Sequence, residues 1–476
     1  MFSLPTELTA LLPLWIVTAG SLFLLLLEVT LKEEGRKTAP LLTGTFLALA
    51  LGATFRLLSV SGMPGPLFHG AVVVDLYSLT MGGICLLSAL LTCVFSSSYL
   101  RREKAVTGEY YALLLMGTAG MLTLVLAAEF LTFFVGLELM SLAGYVLAGY
   151  FRVQERSTEA ALKYFMLGVF ASAFLLYGIA LLYGASHTTH FSELRHFLEQ
   201  GNTRSLFVEV GAALLLVGLG FKVALVPFHG WAPDVYDGAA APVSAFLSTG
   251  VKAAAFGAFA RIFTEVFGLP GSWSWCLVVL AVLTMTLGNL GALGQSSVKR
   301  MLAYSSVAHA GYLLVGLSAA ALAPADETER AVAFYLLAYT LMTAGAFGWI
   351  AWSAGQSETK TQIEDIRGLG LRQPWMGLPM AVFMFSLAGM TPTAGFFGKY
   401  FLFKLAVDHG LLWLAVVAVL NSFISAYYYL RVVVYLYMRP LEGKEPALLP
   451  LSLGLPLAFI LCAAGSLVAG FLKFPF

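Results

Sequence analysis

Charge is scarce in this chain. Asp, Glu, Lys and Arg make up 11% of its 476 residues, where a soluble domain carries about 25%. Hydrophobic residues reach 59%, and the mean hydropathy is +0.85. A soluble globule of this size cannot hide so much apolar surface. The same scarcity excludes disorder, a collagen-like fibre and nucleic-acid binding, and a net charge of +1 points to no strongly charged partner. Cysteine is equally sparse. Cys85, Cys93, Cys276 and Cys462 stand singly in apolar runs; without a CxxC pair, neither an iron–sulfur site nor a disulfide framework is indicated. No GxGxxG and no GxxxxGK[ST] occurs, so nothing points to a bound nucleotide or flavin. Lys and Arg are missing ahead of the first apolar run, as is an A-x-A cleavage site. That run reads as a retained helix, not a signal peptide.

What the chain does have is long apolar runs. A membrane-crossing helix needs about 20 mostly apolar residues. Such runs fall near 10–31, 39–58, 74–96, 110–128, 130–150, 159–184, 206–240, 243–266, 273–294, 299–320, 330–353, 376–408, 411–437 and 451–472. This predicts an all-α, polytopic membrane protein with about fourteen transmembrane helices. The runs are continuous, unlike the alternating strands of a barrel. Lys and Arg mark the cytoplasmic loops of such proteins. Odd-numbered loops hold fifteen of them: Lys32, Arg36, Lys37, Arg101, Arg102, Lys104, Arg152, Arg156, Lys299, Arg300, Lys360, Arg367, Arg372, Arg439 and Lys444. The other side holds six: Arg56, Arg195, Arg204, Arg261, Arg330 and Lys473. The expected orientation puts the odd-numbered loops in the cytoplasm and both termini outside.

Two runs are too long for one simple span. Residues 206–240 are interrupted by Pro227, Gly230 and Pro233, and 376–408 by Gly389, Pro392, Gly395 and Gly398. Proline removes a helical hydrogen bond, and broken backbone at membrane depth needs protein or a wet cavity beside it. The interrupted helices are the seventh and twelfth. If helices four to eight form one unit and nine to thirteen another, the breaks correspond. Five helices per unit is an odd number, so the second unit enters from the opposite side, the pattern of an inverted-repeat transporter. The expected division is 1–105 (helices 1–3), 106–268 (first repeat), 269–440 (second repeat) and 441–476 (helix 14).

Charges inside helices carry the functional reading, because each costs about 3 kcal/mol at the bilayer centre. Glu138 is the one charge between Phe130 and Phe151, and reads as a proton-carrying carboxylate or half of a structural ion pair. Lys222 lies five residues before Pro227, and Lys252 lies among small residues. Beside a movable carboxylate a buried lysine can change protonation; structural pairing is the plainer alternative for both. Lys399 follows the second break, whose freed carbonyls could solvate an ammonium. Lys163 sits four residues after Glu159, spaced for a simple helix pair. His309 can relay protons or be a satisfied core histidine. His229, at the first break, could link Lys222 to Asp234 and Asp237, or cap broken backbone. Lys404 and Arg431 read as snorkelling or paired; Glu28, Asp75 and Glu129 read as interfacial. His187 and His190 lack further ligands for a metal.

The segments LELMSLAGYVLAGY, EAALKYFMLGVFASAFLLYGIALLYG, GFKVALVPFHGWAPDVYDGAAAPVSAFLSTGVKAA, SVKRMLAYSSVAHAGYLL and GMTPTAGFFGKYFLF resemble the antiporter-like subunits of respiratory complex I. EAALKYF and SSVAHAGY are most similar to the subunit N branch rather than its sister M, and a chain ending at Phe476 is expected to lack the long lateral helix of the sister L. The resemblance spans helices three to fourteen. It implies fourteen helices with two inverted five-helix repeats and two broken helices. It also implies a proton-translocating membrane-arm subunit driven by quinone reduction elsewhere. FMN, iron–sulfur clusters and quinone would then belong to partner subunits, and the partners would be other membrane-arm subunits and the bilayer. Residue by residue, Glu138 matches the family's helix-five glutamate, Lys222 its paired lysine, Lys252 the helix-eight lysine, Lys399 a helix-twelve lysine, Lys163 a helix-six lysine and His309 a helix-ten histidine. The implied route runs from the cytoplasm to Lys222, through Lys252 and His309, and out by Lys399. A subunit of a multi-subunit Na⁺/H⁺ antiporter, or of a membrane-bound hydrogenase, needs the same buried charges.

Overall fold

The computed structural model describes residues 6–59, 63–268, 272–440 and 454–471. Lys444, Lys473 and the expected boundaries at 269 and 441 lie outside them, as do the side chains of Lys32, Arg36 and Arg204. Backbone in lipid must satisfy its own hydrogen bonds, and the chain does so with helices at every apolar run.

The first two runs form one helical segment, Leu12–Leu58. A straight helix would hold Phe23 and Phe46 about 35 Å apart, yet their rings lie 6.0 Å apart, edge to face. The segment therefore doubles back into two spans, α1 (Leu12–Thr30) and α2 (Lys37–Leu58). After it come α3 (Leu76–Arg102), α4 (Gly108–Leu126), α5 (Phe130–Ala148) and α6 (Glu155–Ser186). The seventh span is split into α7a (Leu206–Lys222) and α7b (Trp231–Gly238). Then follow α8 (Ala241–Val266), α9 (Ser272–Leu293), α10 (Val298–Leu317) and α11 (Ala325–Ser353). The twelfth span is split into α12a (Pro374–Ala388) and α12b (Ala394–Asp408), ahead of α13 (Leu412–Tyr437) and α14 (Gly454–Val468). All fourteen expected helices are present. Hydropathy did not foresee a small β-ribbon pairing Gly65–Leu67 with Val72–Val74, nor the amphipathic helix Phe191–Glu199, which buries Phe191, Leu194 and Leu198.

The breaks fall at Pro227 and Gly230 and at Gly389 and Pro392, whereas Pro233 lies inside α7b and Gly395 and Gly398 inside α12b. Each contains a cis peptide bond, Val226–Pro227 and Thr391–Pro392. Gly389 ends α12a in a left-handed conformation (φ +83°), which glycine adopts without a Cβ clash. A Cβ on Gly395 would lie 1.9 Å from the Ser386 carbonyl oxygen, so α12b starts against the end of α12a. The hairpins α4–α5 and α9–α10 also correspond. In the first, Gly120 and Gly136 bring backbones together; in the second, Gly288 and Gly311 do. Small residues permit such approach where lipid supplies no hydrophobic drive. The centre is held by α8, entirely buried, and α11, nearly so. Two π-helical turns, Leu247–Val251 and Ile262–Val266, interrupt α8, and the first ends directly before Lys252.

Candidate functional site: a buried polar axis

Ser141 lies one turn beyond Glu138 on α5, and α7a delivers Lys222 as its last residue. The Lys222 ammonium donates to Ser141 Oγ at 2.7 Å and to the Tyr164 hydroxyl at 3.2 Å. The rings of Tyr145 and Tyr164 stand 5.4 and 5.2 Å from it, near enough for cation–π attraction. Glu138 instead accepts from Ser172 Oγ on α6 at 2.5 Å. The expected pair is thus not in direct contact. Beside Lys222 lies a cavity of about 10 Å³, lined also by Ser141 and by Ser172, the donor to Glu138, room for about one water molecule.

Lys252 donates to the Ser306 carbonyl at 2.7 Å and to Ser306 Oγ at 2.5 Å, joining α8 to α10. His309, one turn further along α10, stands between two phenols. Its Nδ1 is 2.5 Å from the Tyr335 hydroxyl on α11, and its Nε2 is 3.0 Å from the Tyr429 hydroxyl on α13. A neutral imidazole so placed donates through one nitrogen and accepts through the other, the requirement for passing a proton across the ring. Tyr429 also bonds Ser305, the neighbour of Lys252's partner.

Lys399 is the sixth residue of α12b. Its ammonium donates to the carbonyls of Leu387 and Ala388, both at 3.0 Å, and to Ser422 Oγ at 2.9 Å. These carbonyls close α12a, so the break supplies the solvation expected of it. The Tyr312 ring lies 5.0 Å away.

Lys163 and His229 stand apart from this axis. Lys163 is 42% exposed and pairs with Glu159 at 2.7 Å and Asp234 at 2.8 Å. Asp234 also takes Arg300 at 2.7 Å, so one carboxylate ties α6 to α10. His229 makes no hydrogen bond to Lys222, Asp234 or Asp237 among the described residues, and its Nδ1 is buried without a partner; Asp237 accepts from Ser297. Lys404 pairs with Asp408 in an exposed i,i+4 bridge, and Arg431 reaches carbonyls at the end of α9. Glu28 accepts from the Gly108 amide, and Glu129 from Thr132 and Thr189. No metal-holding group of His, Cys, Asp or Glu occurs among the described residues.

Two ionic groups were not visible in the sequence. Arg261, which the loop count placed at a helix end, is 1% exposed and grips both oxygens of Asp75, the N-cap of α3, at 2.9 Å. Lys299, counted as a loop residue, is buried against Glu358 at 2.5 Å and the Ala239 carbonyl at 2.6 Å. Glu358 also accepts from the Ala241 amide at the start of α8. Neither partnership has a sequence signal, because each joins residues 59 or more positions apart.

Comparison with known proteins matches this architecture. The family described as "NADH:quinone oxidoreductase/Mrp antiporter, TM" matches residues 127–425. NADH-quinone oxidoreductase subunit N of Trichlorobacter lovleyi is 43% identical over 98% of this chain and 94% of its own length. Subunit N 1 of Solibacter usitatus is 41% identical over 98% and 95%. Among solved structures, a chain of Thermus thermophilus respiratory complex I with bound aureothin superposes with a TM-score of 0.81 at 36% identity, covering 96% of each chain. A chain of an archaeal membrane-bound sulfane sulfur reductase gives a TM-score of 0.86 at 26% identity, covering 98% of this chain and 94% of its own. With a family model matching more than half of the chain, and relatives named subunit N that are 41–43% identical over 98% of it, this chain belongs to the NADH:quinone oxidoreductase/Mrp antiporter membrane family, in its subunit N branch.

Proposed function

We propose that this chain translocates protons in the membrane arm of an NADH–quinone oxidoreductase, along an axis of Glu138, Lys222, Lys252, His309 and Lys399. One observation carries the reading. Lys222, Lys252 and Lys399 are 4%, 1% and 4% exposed, yet none has a carboxylate within 4 Å among the described residues. Each ammonium rests on neutral oxygens alone. A structural ion pair would bring its carboxylate into contact, because an unpaired buried charge is strongly destabilising. Hydroxyls and carbonyls instead tolerate an amine that gains and loses its proton.

In this reading Glu138 tunes Lys222 through Ser172, the small cavity and Ser141. Lys252 and His309 hand on through Ser305, Ser306, Tyr335 and Tyr429, and Lys399 releases at the second break. Lys163 steadies the entry side through Asp234, and His229 serves that side as a relay through its unpartnered Nδ1. The chain itself does no redox chemistry; FMN, iron–sulfur clusters and quinone belong to partner subunits, and sister antiporter-like subunits flank it. The Na⁺/H⁺ antiporter and hydrogenase readings have less support, since relatives 39–43% identical over at least 90% of this chain carry the NADH-quinone oxidoreductase name. The functional units are 106–268 and 269–440, flanked by 1–105 and 441–476.

The test is proton translocation per NADH oxidised in liposomes holding the assembled complex. Lys252→Ala should lower the ratio with assembly intact on a native gel; an unchanged ratio overturns the route. Orientation follows from the loop charges, with the basic loops cytoplasmic and both termini periplasmic. Single cysteines at the exposed positions Glu327 and Thr359 should be labelled from opposite sides, with Thr359→Cys reactive from the cytoplasm. Labelling of Glu327→Cys from that side reverses the orientation.

A further inference from the structure

On the face opposite the basic loops, α11 begins where α12b ends, and a cavity of 330 Å³ opens between them. Its polarity runs in one direction. At the mouth stand Glu327 and Arg330, from the first turns of α11, and Lys404 and Asp408, from the last turns of α12b. One to two turns inward the walls are Ala331, Phe334, Phe401 and Leu405. Phe334 and Phe401 meet edge to face at 5.1 Å. Both helices therefore pass from charge to aromatic in the same direction, from the membrane edge towards its interior.

We propose that this cavity binds one zwitterionic glycerophospholipid of the phosphatidylethanolamine type, headgroup at the mouth and acyl chain against the two phenylalanines. The volume lies within the range of small-molecule sites, about 300–1,000 Å³. The mouth carries two cations and two carboxylates, one of each from either helix. A phosphate fits Arg330 and Lys404, which stand on opposite walls. The headgroup ammonium fits Glu327 and Asp408. A purely anionic headgroup would satisfy the cations and leave both carboxylates facing like charge. Lys404 already leans on Asp408 at 2.5 Å, and Arg330 on Asp326. These exposed pairs are weak and can open to share a ligand. The aliphatic stems of Arg330 and Lys404 also suit the headgroup level, where such side chains lie along apolar surface with the charge in water.

The complex, purified in mild detergent and stripped by extended washing, is relipidated with dioleoyl phosphatidylethanolamine or dioleoyl phosphatidylglycerol vesicles. It is washed again, and retained lipid is counted by mass spectrometry. The expected result is one phosphatidylethanolamine more per complex in the wild type than in the doubly charge-reversed Arg330→Glu/Lys404→Glu variant. Both positions are exposed, so this variant keeps the fold. A second variant, Ala331→Trp, fills the cavity from its wall and should lose the same lipid. Excess inorganic phosphate should not displace it, since the acyl chain supplies part of the binding. Equal retention in wild type and both variants overturns the proposal. So does preferential retention of phosphatidylglycerol, displacement by phosphate alone, or a map of the complex showing a partner subunit's side chain in the cavity.

Discussion

Lys222 closes α7a on the near side of its break, whereas Lys399 lies six residues into α12b on the far side of the other. The first is caged by the hydroxyls of Ser141 and Tyr164. The second is held by Leu387 and Ala388 carbonyls, with Ser422 beside them. The two halves thus keep an ammonium at membrane depth by different chemistry. A hydroxyl can turn and serve as donor or acceptor, but a carbonyl only accepts. The Lys222 site can therefore adapt to an amine of either charge. At the Lys399 site only the Ser422 hydroxyl could donate to the lone pair of a neutral amine, so the two sites differ in how they receive the amine once its proton has left.

The comparison is tested most severely by charge-preserving replacement. Arginine holds its proton at any accessible pH, so Lys222→Arg and Lys399→Arg should both abolish the chain's proton transfer as completely as the alanine variants. Pumping per NADH in reconstituted complex reads this out, and full pumping by Lys399→Arg would leave Lys399 a structural charge. Lys399→Glu sharpens the contrast. Two carbonyls facing the new carboxyl favour its protonated form, so it should load a proton and release it slowly, pumping more than the arginine variant and less than wild type.

Removing the amine should separate the two sites next. Lys222→Met leaves two hydroxyls that can bond elsewhere. Lys399→Met strands the Leu387 carbonyl and leaves that of Ala388 only the 3.4 Å bond from Ser422 Oγ, and a buried unsatisfied group costs about 1–3 kcal/mol. Heat-induced loss of assembled complex on native gels should therefore begin at a lower temperature for Lys399→Met. Equal thresholds would mean that the break does not depend on its lysine.

Much of this was legible in sequence because the bilayer penalises what it does not need. Fourteen helices follow from hydropathy, and Pro227 and Pro392 betray the breaks because proline removes a helical hydrogen bond, although Pro40 and Pro379 are carried inside helices. Lys222, Lys252 and Lys399 stand out because charge is costly there. Their partners do not. Ser141, Ser306 and Ser422 are ordinary residues in a membrane helix, and Tyr164 or Tyr335 could equally be packing. Their roles arise from neighbours many residues away, which no local pattern reports. Arg261 and Lys299 misled the loop count for a related reason: near a helix end, a cation's depth is set by tertiary packing. That Glu138 and Lys222 are coupled without touching was likewise not legible: Ser141, one turn from Glu138, occupies the position nearest the ammonium.

That intervening serine makes a graded prediction. Ser141→Ala removes the 2.7 Å acceptor and the hydroxyl side of the small cavity. Proton transfer should slow, but less than in Glu138→Gln, which removes the charge that favours protonated Lys222. If Ser141→Ala proves the worse, the hydroxyl is the path and the carboxylate only its background.

The smallest effect should come from Asp234, which has no counterpart around Lys399. It joins Lys163 to Arg300, but the three groups are partly exposed, and exposed pairs are weakened by salt. Asp234→Asn should keep assembly and most pumping. The rate should fall modestly at low ionic strength, where the triad orders the approach to Lys222, and the deficit should shrink as salt rises and the wild-type triad is screened too. Rates measured across an ionic-strength series decide between two roles. A loss that persists at high salt would place Asp234 on the proton route itself, giving the first half a carboxylate entry that the second half lacks. A deficit that vanishes with salt would leave Lys222 and Lys399 as the points where the two halves differ in chemistry.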